Sequence, residues 1–239
     1  AWRSISSGSD LKEGQRMGEK QARKGLSVLQ LTLGALYVAM FALAGNVPVL
    51  SAIQIIPGVP ITLQVFLIAM MGLTLGVRGG LTAYGAVLVL TACGLPMMAG
   101  GKGGLAVFYG PTSGYILGWF FIVLFTGLYA SRGMDKLMHK QLLPARRDKK
   151  GVWNKLLSMS LHLPASFAIG MAGVLLDYVC GSAALAAVSG QSLAELPALL
   201  LSNLAFLPGD MVKIGLASVL SLSLFAKPAL SRIFRAQRA

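Results

Sequence analysis

Long apolar runs without charged side chains constrain this chain more than any other feature of its sequence. The 239 residues are 55% hydrophobic and only 12% charged, and the mean hydropathy is +0.71. About 20 consecutive apolar residues suffice for a helix to cross the roughly 30 Å hydrocarbon core of a bilayer. Helices are favoured there because every backbone polar group must be satisfied internally. We therefore predict an all-α integral membrane protein.

Six such runs are expected to span the membrane. They cover approximately residues 26–45, 61–77, 79–95, 112–130, 153–180 and 208–226. Only Arg78-Gly79-Gly80 separates the second run from the third, which predicts a tight antiparallel hairpin. Pro164 lies inside the fifth run and predicts a kink. Ser192 and Glu195 have capping-box spacing and predict a short helix to about residue 205, lying over the outer surface.

The distribution of positive charge predicts the orientation of the spans. The chain has 21 lysine and arginine residues, and all except Lys102 and Lys213 lie before the first run, at Arg78, between residues 132 and 155, or in the C-terminal tail. Basic residues concentrate on the cytoplasmic side of membrane proteins. We expect both termini in the cytoplasm, with a basic leader (1–25), a membrane domain (26–227) and a basic tail (228–239). The net charge of +13 then reflects topology, not nucleic-acid binding.

Asp210 and Lys213 are the strongest candidates for function, since they place opposite charges inside an apolar run. An ionised side chain at the centre of a membrane helix costs about 2.5–3.5 kcal/mol, so its presence suggests a functional site. Residues three apart share one helix face. Pro208 suits the first helical position, which places Asp210 in the first turn. The pair either grips a ligand at an outward-facing pocket or only locks one helix to its neighbour.

Further candidates lie in the loops expected on the outer side. The stretch from Pro96 to Gly104 is rich in glycine, which allows backbone N–H groups to approach a ligand, although glycines also serve simply as turn residues. Tyr115 and Trp119 are one turn apart at the start of the fourth run, a pattern more typical of an interfacial aromatic belt than of ligand contacts. Asp177 near the outer end of the fifth run is either solvated or in contact with the ligand.

Four segments in this order resemble a known family: Val59-Pro60-Ile61-Thr62-Leu63-Gln64, Ala99-Gly100-Gly101-Lys102-Gly103-Gly104, Gly110-Pro111-Thr112-Ser113-Gly114-Tyr115 and Leu207-Pro208-Gly209-Asp210-Met211-Val212-Lys213. The chain resembles the BioY family, the biotin-specific substrate-binding (S) components of energy-coupling factor (ECF) transporters. The resemblance runs from the first span to the last. It departs after the fifth span, where relatives often carry an aromatic residue in a loop and this chain has Ser182-Ala183-Ala184.

The resemblance implies a six-helix protein of a bacterial cytoplasmic membrane that binds biotin from the outside. It implies ligand contacts by Asp210 and Lys213, and a pocket lined by Gln64, Gly100, Gly101, Lys102, Gly103 and Tyr115. The ureido N–H groups of biotin suit Asp210, and a ligand oxygen suits Lys213. Ala35 and Ala39 would form the small-residue surface of the first helix that docks on the transmembrane coupling subunit.

Alternative functions remain open at this point. The chain has no Gly-x-x-x-x-Gly-Lys-[Ser/Thr] motif, so we expect no cofactor and ATP only through partner ATPase subunits. A solo carrier, or an S component for another vitamin, would share the same features. An intramembrane enzyme is less favoured, because its candidates reduce to His139 in the basic loop and His162 near the kink. Cys93 and Cys180 have no metal-ligand spacing and leave only a disulfide as an option.

Overall fold

The structure is a computed structural model that describes residues 26, 28–47, 54–56, 59–60, 62–134 and 149–225. The predicted leader and tail, together with His139, lie outside the described residues. The helices are α1 (Val28–Asn46), α2 (Gln64–Ala92), α3 (Ser113–Tyr129), α4 (Lys149–Ser189), α5 (Leu196–Ser202) and α6 (Leu207–Phe225). Two short antiparallel strands, β1 (Gln54–Ile56) and β2 (Val59–Pro60), lie between α1 and α2.

Shorter turns connect these elements. A 3₁₀ helix at Leu105–Tyr109 precedes α3, a π-helical turn at Ala130–Met134 follows it, and 3₁₀ turns at Leu193–Glu195 and Asn203–Ala205 flank α5. Within the described ranges, five helices are long and apolar enough to cross a membrane, namely α1, α2, α3, α4 and α6. The predicted helical architecture is therefore confirmed in its coarse form, and the short β1–β2 pair corrects the prediction that the chain is all-α.

Helix α2 reverses direction at Gly76, where φ is 69° and ψ is −171°. A Cβ atom added to Gly80 would lie 3.1 Å from the Met71 carbonyl oxygen, although residues nine apart in a straight helix are about 13 Å apart. The Gln64 side-chain amide donates to the Met97 carbonyl oxygen at 2.8 Å, so the beginning and end of α2 meet. The predicted hairpin is present, but its turn lies at Gly76 and not at Arg78–Gly80. Only glycine adopts this left-handed conformation without strain.

Helices α3 and α4 pack closely because glycines line their interface. A Cβ on Gly114 would collide with the Cys180 carbonyl oxygen, and one on Gly181 would collide with the Tyr115 ring. A Cβ on Gly173 would lie 2.8 Å from the Ile122 Cα. Small residues of this kind let membrane helices approach at backbone distance. The interface therefore fixes how the side chains of α3 and α4 meet.

The bundle has two distinct ends. The Val77 amide donates to Ser131 Oγ at 3.3 Å, which brings the Gly76 turn and the end of α3 together. We call this the turn end. The opposite end, called the loop end, contains the beginning of α2, Met97 and the beginning of α3. There the backbone N–H of Gly100 donates to the Gly45 carbonyl oxygen at 2.9 Å and attaches the glycine-rich loop to α1.

Several predicted boundaries are corrected by the structure. Helix α4 continues to Ser189, so Ser182 lies in the helix and not in a loop after it. Helix α5 begins only at Leu196, and its N-cap residue Glu195 makes no side-chain capping bond. Pro164 does lie inside α4.

The two cysteines do not form the disulfide that the sequence allowed. Cys93 and Cys180 are free thiols.

Candidate ligand-binding site

A cavity of about 90 Å³ lies at the loop end, between α2, α3, α4 and α6. Its apolar wall comes from Val65, Met98, Ala99, Val107, Ile116, Trp119 and Phe206. Its polar groups are Thr62, Gln64, Lys102, Thr112, Tyr115, Asp177, Tyr178, Asp210 and Lys213. Apolar walls with a small number of placed polar groups are typical of small-molecule sites.

The Asp210–Lys213 pair is formed in the first turns of α6 and faces this cavity. Lys213 Nζ lies 2.8 Å from Asp210 Oδ1, and the two side chains are only 13% and 7% exposed. The Tyr178 hydroxyl donates to Asp210 Oδ2 at 2.7 Å, so both carboxylate oxygens have a donor. The residues bind each other and also line the cavity, and ligand contact by the pair stays a prediction. A ligand reaching them meets a charge pair already fixed by a third side chain.

Asp177 on α4 is the charged wall residue that sequence reasoning left open. It is 3% exposed, and its Oδ1 has no hydrogen-bond partner among the described residues. A Cβ on Gly118 would collide with this oxygen, so glycine at position 118 makes room for the carboxylate. The signal that singled out Asp210, a carboxylate inside an apolar run, applies equally to Asp177.

Tyr115 and Trp119 are buried in the cavity wall, so the prediction of an aromatic belt is wrong for both. The Tyr115 hydroxyl donates to Asn203 Oδ1, and Asn203 Nδ2 donates to Ser182 Oγ, each at 2.7 Å. Asn203 belongs to the segment that carries Phe206 into the cavity wall. This chain of hydrogen bonds thus joins α3 and α4 to the segment before α6.

The glycine-rich loop contributes Met98, Ala99 and Lys102 to the cavity wall, with Lys102 exposed at its edge. Its glycines lie beside the wall. The N–H groups of Gly100 and Gly101 donate to the carbonyl oxygens of Gly45 and Met98, at 2.9 and 3.0 Å. Both have positive φ, which the turn requires.

Two further predicted site residues of this region are packed against backbone. A Cβ on Gly103 would collide with the Leu95 carbonyl oxygen. Gln64 lines the wall and is held by Met97. Ligand contacts by Gly100, Gly101 and Gly103 stay a prediction.

The predicted docking residues lie elsewhere on the molecule. Ala35 and Ala39 are exposed on α1. They line a second, apolar cavity of about 480 Å³ between α1 and the second half of α2, which Gly34, Ala83 and Ala86 also line. Neither alanine contributes to the wall of the loop-end cavity.

The fold defines a multi-pass helical membrane protein with a cavity at the loop end. A family model described as the BioY family matches residues 17–229. The chain belongs to the BioY family. It is 33% identical over 195 residues to a biotin transporter BioY of Rhizobium etli, with 82% of this chain and 92% of the relative covered.

Another relative and a solved structure agree with this assignment. A biotin transporter BioY of Lactococcus lactis subsp. cremoris is 32% identical over 186 residues, covering 78% of this chain and 85% of the relative. The crystal structure of the S-component for biotin from an ECF-type ABC transporter superposes with a TM-score of 0.67 at 30% identity. That match covers 87% of this chain and 96% of the other. The similarity therefore extends over the whole bundle.

Proposed function

We propose that this protein binds biotin with high affinity at the loop end and takes it up as the substrate-specific subunit of an ECF-type transporter. The observation that carries the proposal is the Asp210–Lys213 pair, which faces an otherwise apolar cavity. Relatives over most of the chain are named biotin transporters, and the superposed structure is an S-component for biotin. A charge pair beside apolar walls suits a ligand with a polar ureido ring, a thioether ring and an aliphatic chain.

In this proposal Lys213 donates to an oxygen of the ligand while Asp210 accepts from a ureido N–H. Each carboxylate oxygen has a second lone-pair site, so Asp210 can keep its bonds to Lys213 and Tyr178 when it accepts from the ligand. Lys102, exposed at the edge of the cavity, is a second cation within reach of an anionic ligand group. Gln64 and Tyr115 supply further polar groups in the cavity wall.

Calorimetric titration of the detergent-purified protein with biotin tests this proposal. We expect saturable binding of one biotin without ATP or any partner. Pantothenate, riboflavin and thiamine serve as competitors, because an S component for another vitamin would prefer one of them. Folded protein that shows no saturable binding of biotin would overturn the proposal. Tighter binding of a competitor would indicate an S component for that vitamin.

We further propose six membrane passes with both termini in the cytoplasm. The two antiparallel segments of α2 then count as separate passes. Arg78 and Arg132 both lie at the turn end, whereas Lys102 and Lys213 lie at the loop end, which is consistent with a cytoplasmic turn end. Labelling with a membrane-impermeant thiol reagent in intact cells tests this orientation, using Lys102→Cys and Arg132→Cys in a background in which Cys93 and Cys180 are replaced by serine. We expect only the Lys102→Cys variant to be labelled.

We propose docking on the transmembrane coupling subunit through Ala35 and Ala39, with ATP hydrolysed by the partner ATPases. Both alanines are exposed on α1 and lie away from the biotin cavity. Ala35→Trp and Ala39→Trp are expected to leave biotin binding intact and to abolish ATP-driven uptake, since bulk blocks close helix contact. Leu36→Trp is the matched control, because Leu36 is also exposed on α1 but does not line the apolar cavity between α1 and α2. Normal uptake by both alanine variants would refute the docking surface, and uptake without any partner subunit would indicate a solo carrier.

A further inference from the structure

The cavity wall contains two buried carboxylates, Asp177 and Asp210, but the lysine pairs with only one of them. Lys213 Nζ is 2.8 Å from Asp210 Oδ1, and Asp210 Oδ2 accepts from Tyr178. Within the described part of the chain, no cation lies within 4.0 Å of Asp177 and its Oδ1 has no donor. A buried carboxylate with an unpaired oxygen is strongly unfavourable. Because Asp177 lines the cavity, a bound ligand can supply this carboxylate with a donor that the described part of the chain does not.

The residues around Asp177 leave room for its carboxylate in the cavity wall. The residue is 3% exposed and lines the loop-end cavity. Gly118 on α3 faces it, and any larger side chain there would collide with Asp177 Oδ1. Tyr178, the next residue on α4, holds the second carboxylate. The close α3–α4 interface thus leaves space for one carboxylate beside the other, at the same cavity.

We propose that Asp177 is a specificity-determining residue whose carboxylate accepts a hydrogen bond from one of the two ureido N–H groups of the ligand, while Asp210 accepts from the other. This inference rests on the proposed function, because it assumes a ligand with two N–H donors flanking one carbonyl. The two carboxylates on different helices each accept from one N–H group, whereas Lys213 can only donate and would bind the carbonyl oxygen. A ring with one N–H replaced by an acceptor atom would place a lone pair against a carboxylate and be rejected.

The test pairs protein variants with ligand variants. The ligands are biotin and its two oxazolidinone analogues, in each of which one ureido N–H is replaced by an oxygen atom without added bulk. The proteins are the wild type, Asp177→Asn, Asp177→Ala and Gly118→Ala. Glu195→Gln is the control for loss of an exposed carboxylate outside the cavity. Affinity is measured by calorimetry, and folding is checked by thermal unfolding in detergent.

We expect wild type to bind both analogues at least about tenfold more weakly than biotin, because each loses a charge-assisted hydrogen bond. Asp177→Ala should weaken biotin by a similar factor. For one analogue only, the same substitution should cause no further loss, since its missing N–H is the group that Asp177 binds. Gly118→Ala should weaken biotin because it displaces Asp177 Oδ1, and Glu195→Gln should have no effect.

Other outcomes separate the two proposals. If folded wild type binds no biotin, the proposed function falls and takes this inference with it. If wild type binds biotin and the Asp177 variants bind it equally well, only the inference is wrong. A purely structural role predicts that Asp177→Asn and Asp177→Ala weaken biotin and both analogues by one common factor, and that result would also overturn the inference.

Discussion

Helix α4 carries buried polar side chains in two regions that behave differently. At the loop end, Asp177 and Tyr178 line the cavity, and the Tyr178 hydroxyl donates a hydrogen bond to Asp210. About 22 Å away along the helix, toward the turn end, His162 Nδ1 lies 2.9 Å from the Tyr129 hydroxyl, and His162 is 2% exposed. His162 does not line the loop-end cavity.

An unpartnered buried atom alone does not distinguish these regions. Among the described residues, His162 Nε2 has no hydrogen-bond partner, and the same is true of Asp177 Oδ1. The difference is that Asp177 lines the loop-end cavity and His162 does not. A polar residue in an apolar helix therefore indicates either a ligand site or an internal helix contact, and the space in front of it decides between them.

The largest effect is expected for Asp210→Asn and Lys213→Met. Removing one member of a dehydrated charge pair leaves the other unsatisfied, which costs about 2–5 kcal/mol of binding free energy. We therefore expect biotin affinity to fall by a factor of about thirty to several thousand. Calorimetry and thermal unfolding of each single variant and of the double variant measure this. If the pair is only a helix contact, the double variant recovers both stability and tight binding. Under the ligand assignment it stays folded and does not bind.

A smaller loss is expected for Tyr178→Phe. The change removes the hydroxyl that donates to Asp210 Oδ2 and keeps the ring. A hydrogen bond to a charged group contributes about 1.5–3 kcal/mol, so we expect biotin affinity to fall by about one to two orders of magnitude. Tyr109→Phe, at an exposed position outside the cavity wall, is the control. Unchanged affinity in Tyr178→Phe would show that the tyrosine does not orient Asp210.

Tyr115→Phe should affect binding less, because it acts through the segment before α6. It breaks the bond to Asn203 and leaves that buried amide without one donor. A neutral hydrogen bond is worth about 1 kcal/mol net, which predicts a loss of about fivefold in affinity, expressed mainly as faster release. Stopped-flow release of a fluorescent biotin conjugate measures it. Release at the wild-type rate would contradict a role of this network in retaining the ligand.

Tyr129→Phe is expected to leave biotin affinity within about twofold of wild type, because sites this far apart are usually independent. It removes the partner of His162 Nδ1, and an unsatisfied buried group costs about 1–3 kcal/mol of stability. We therefore expect a lower midpoint of thermal unfolding with normal binding. A strong loss of affinity without destabilisation would end the contrast between the two regions of α4.

The sequence by itself determined the helical membrane class, the approximate extent of α1, α3 and α6, and the placement of Asp210 and Lys213 on one face at the start of α6. Those conclusions depend on local quantities: the length of an apolar run, the three-residue spacing on one helix, and the energetic penalty of charge in hydrocarbon. Such quantities are present in any short window of the chain. They hold whatever neighbours the helices acquire.

Only the tertiary structure decided which polar residues face open space. Asp177 and His162 both lie in the apolar run of α4, and no local pattern tells them apart. The glycine-rich loop likewise looks like a ligand cradle in sequence, whereas two of its N–H groups already bond to Gly45 and Met98. The physical reason is that a cavity is bounded by several helices at once, so its lining depends on where close glycine contacts such as Gly118 against Asp177 bring them together.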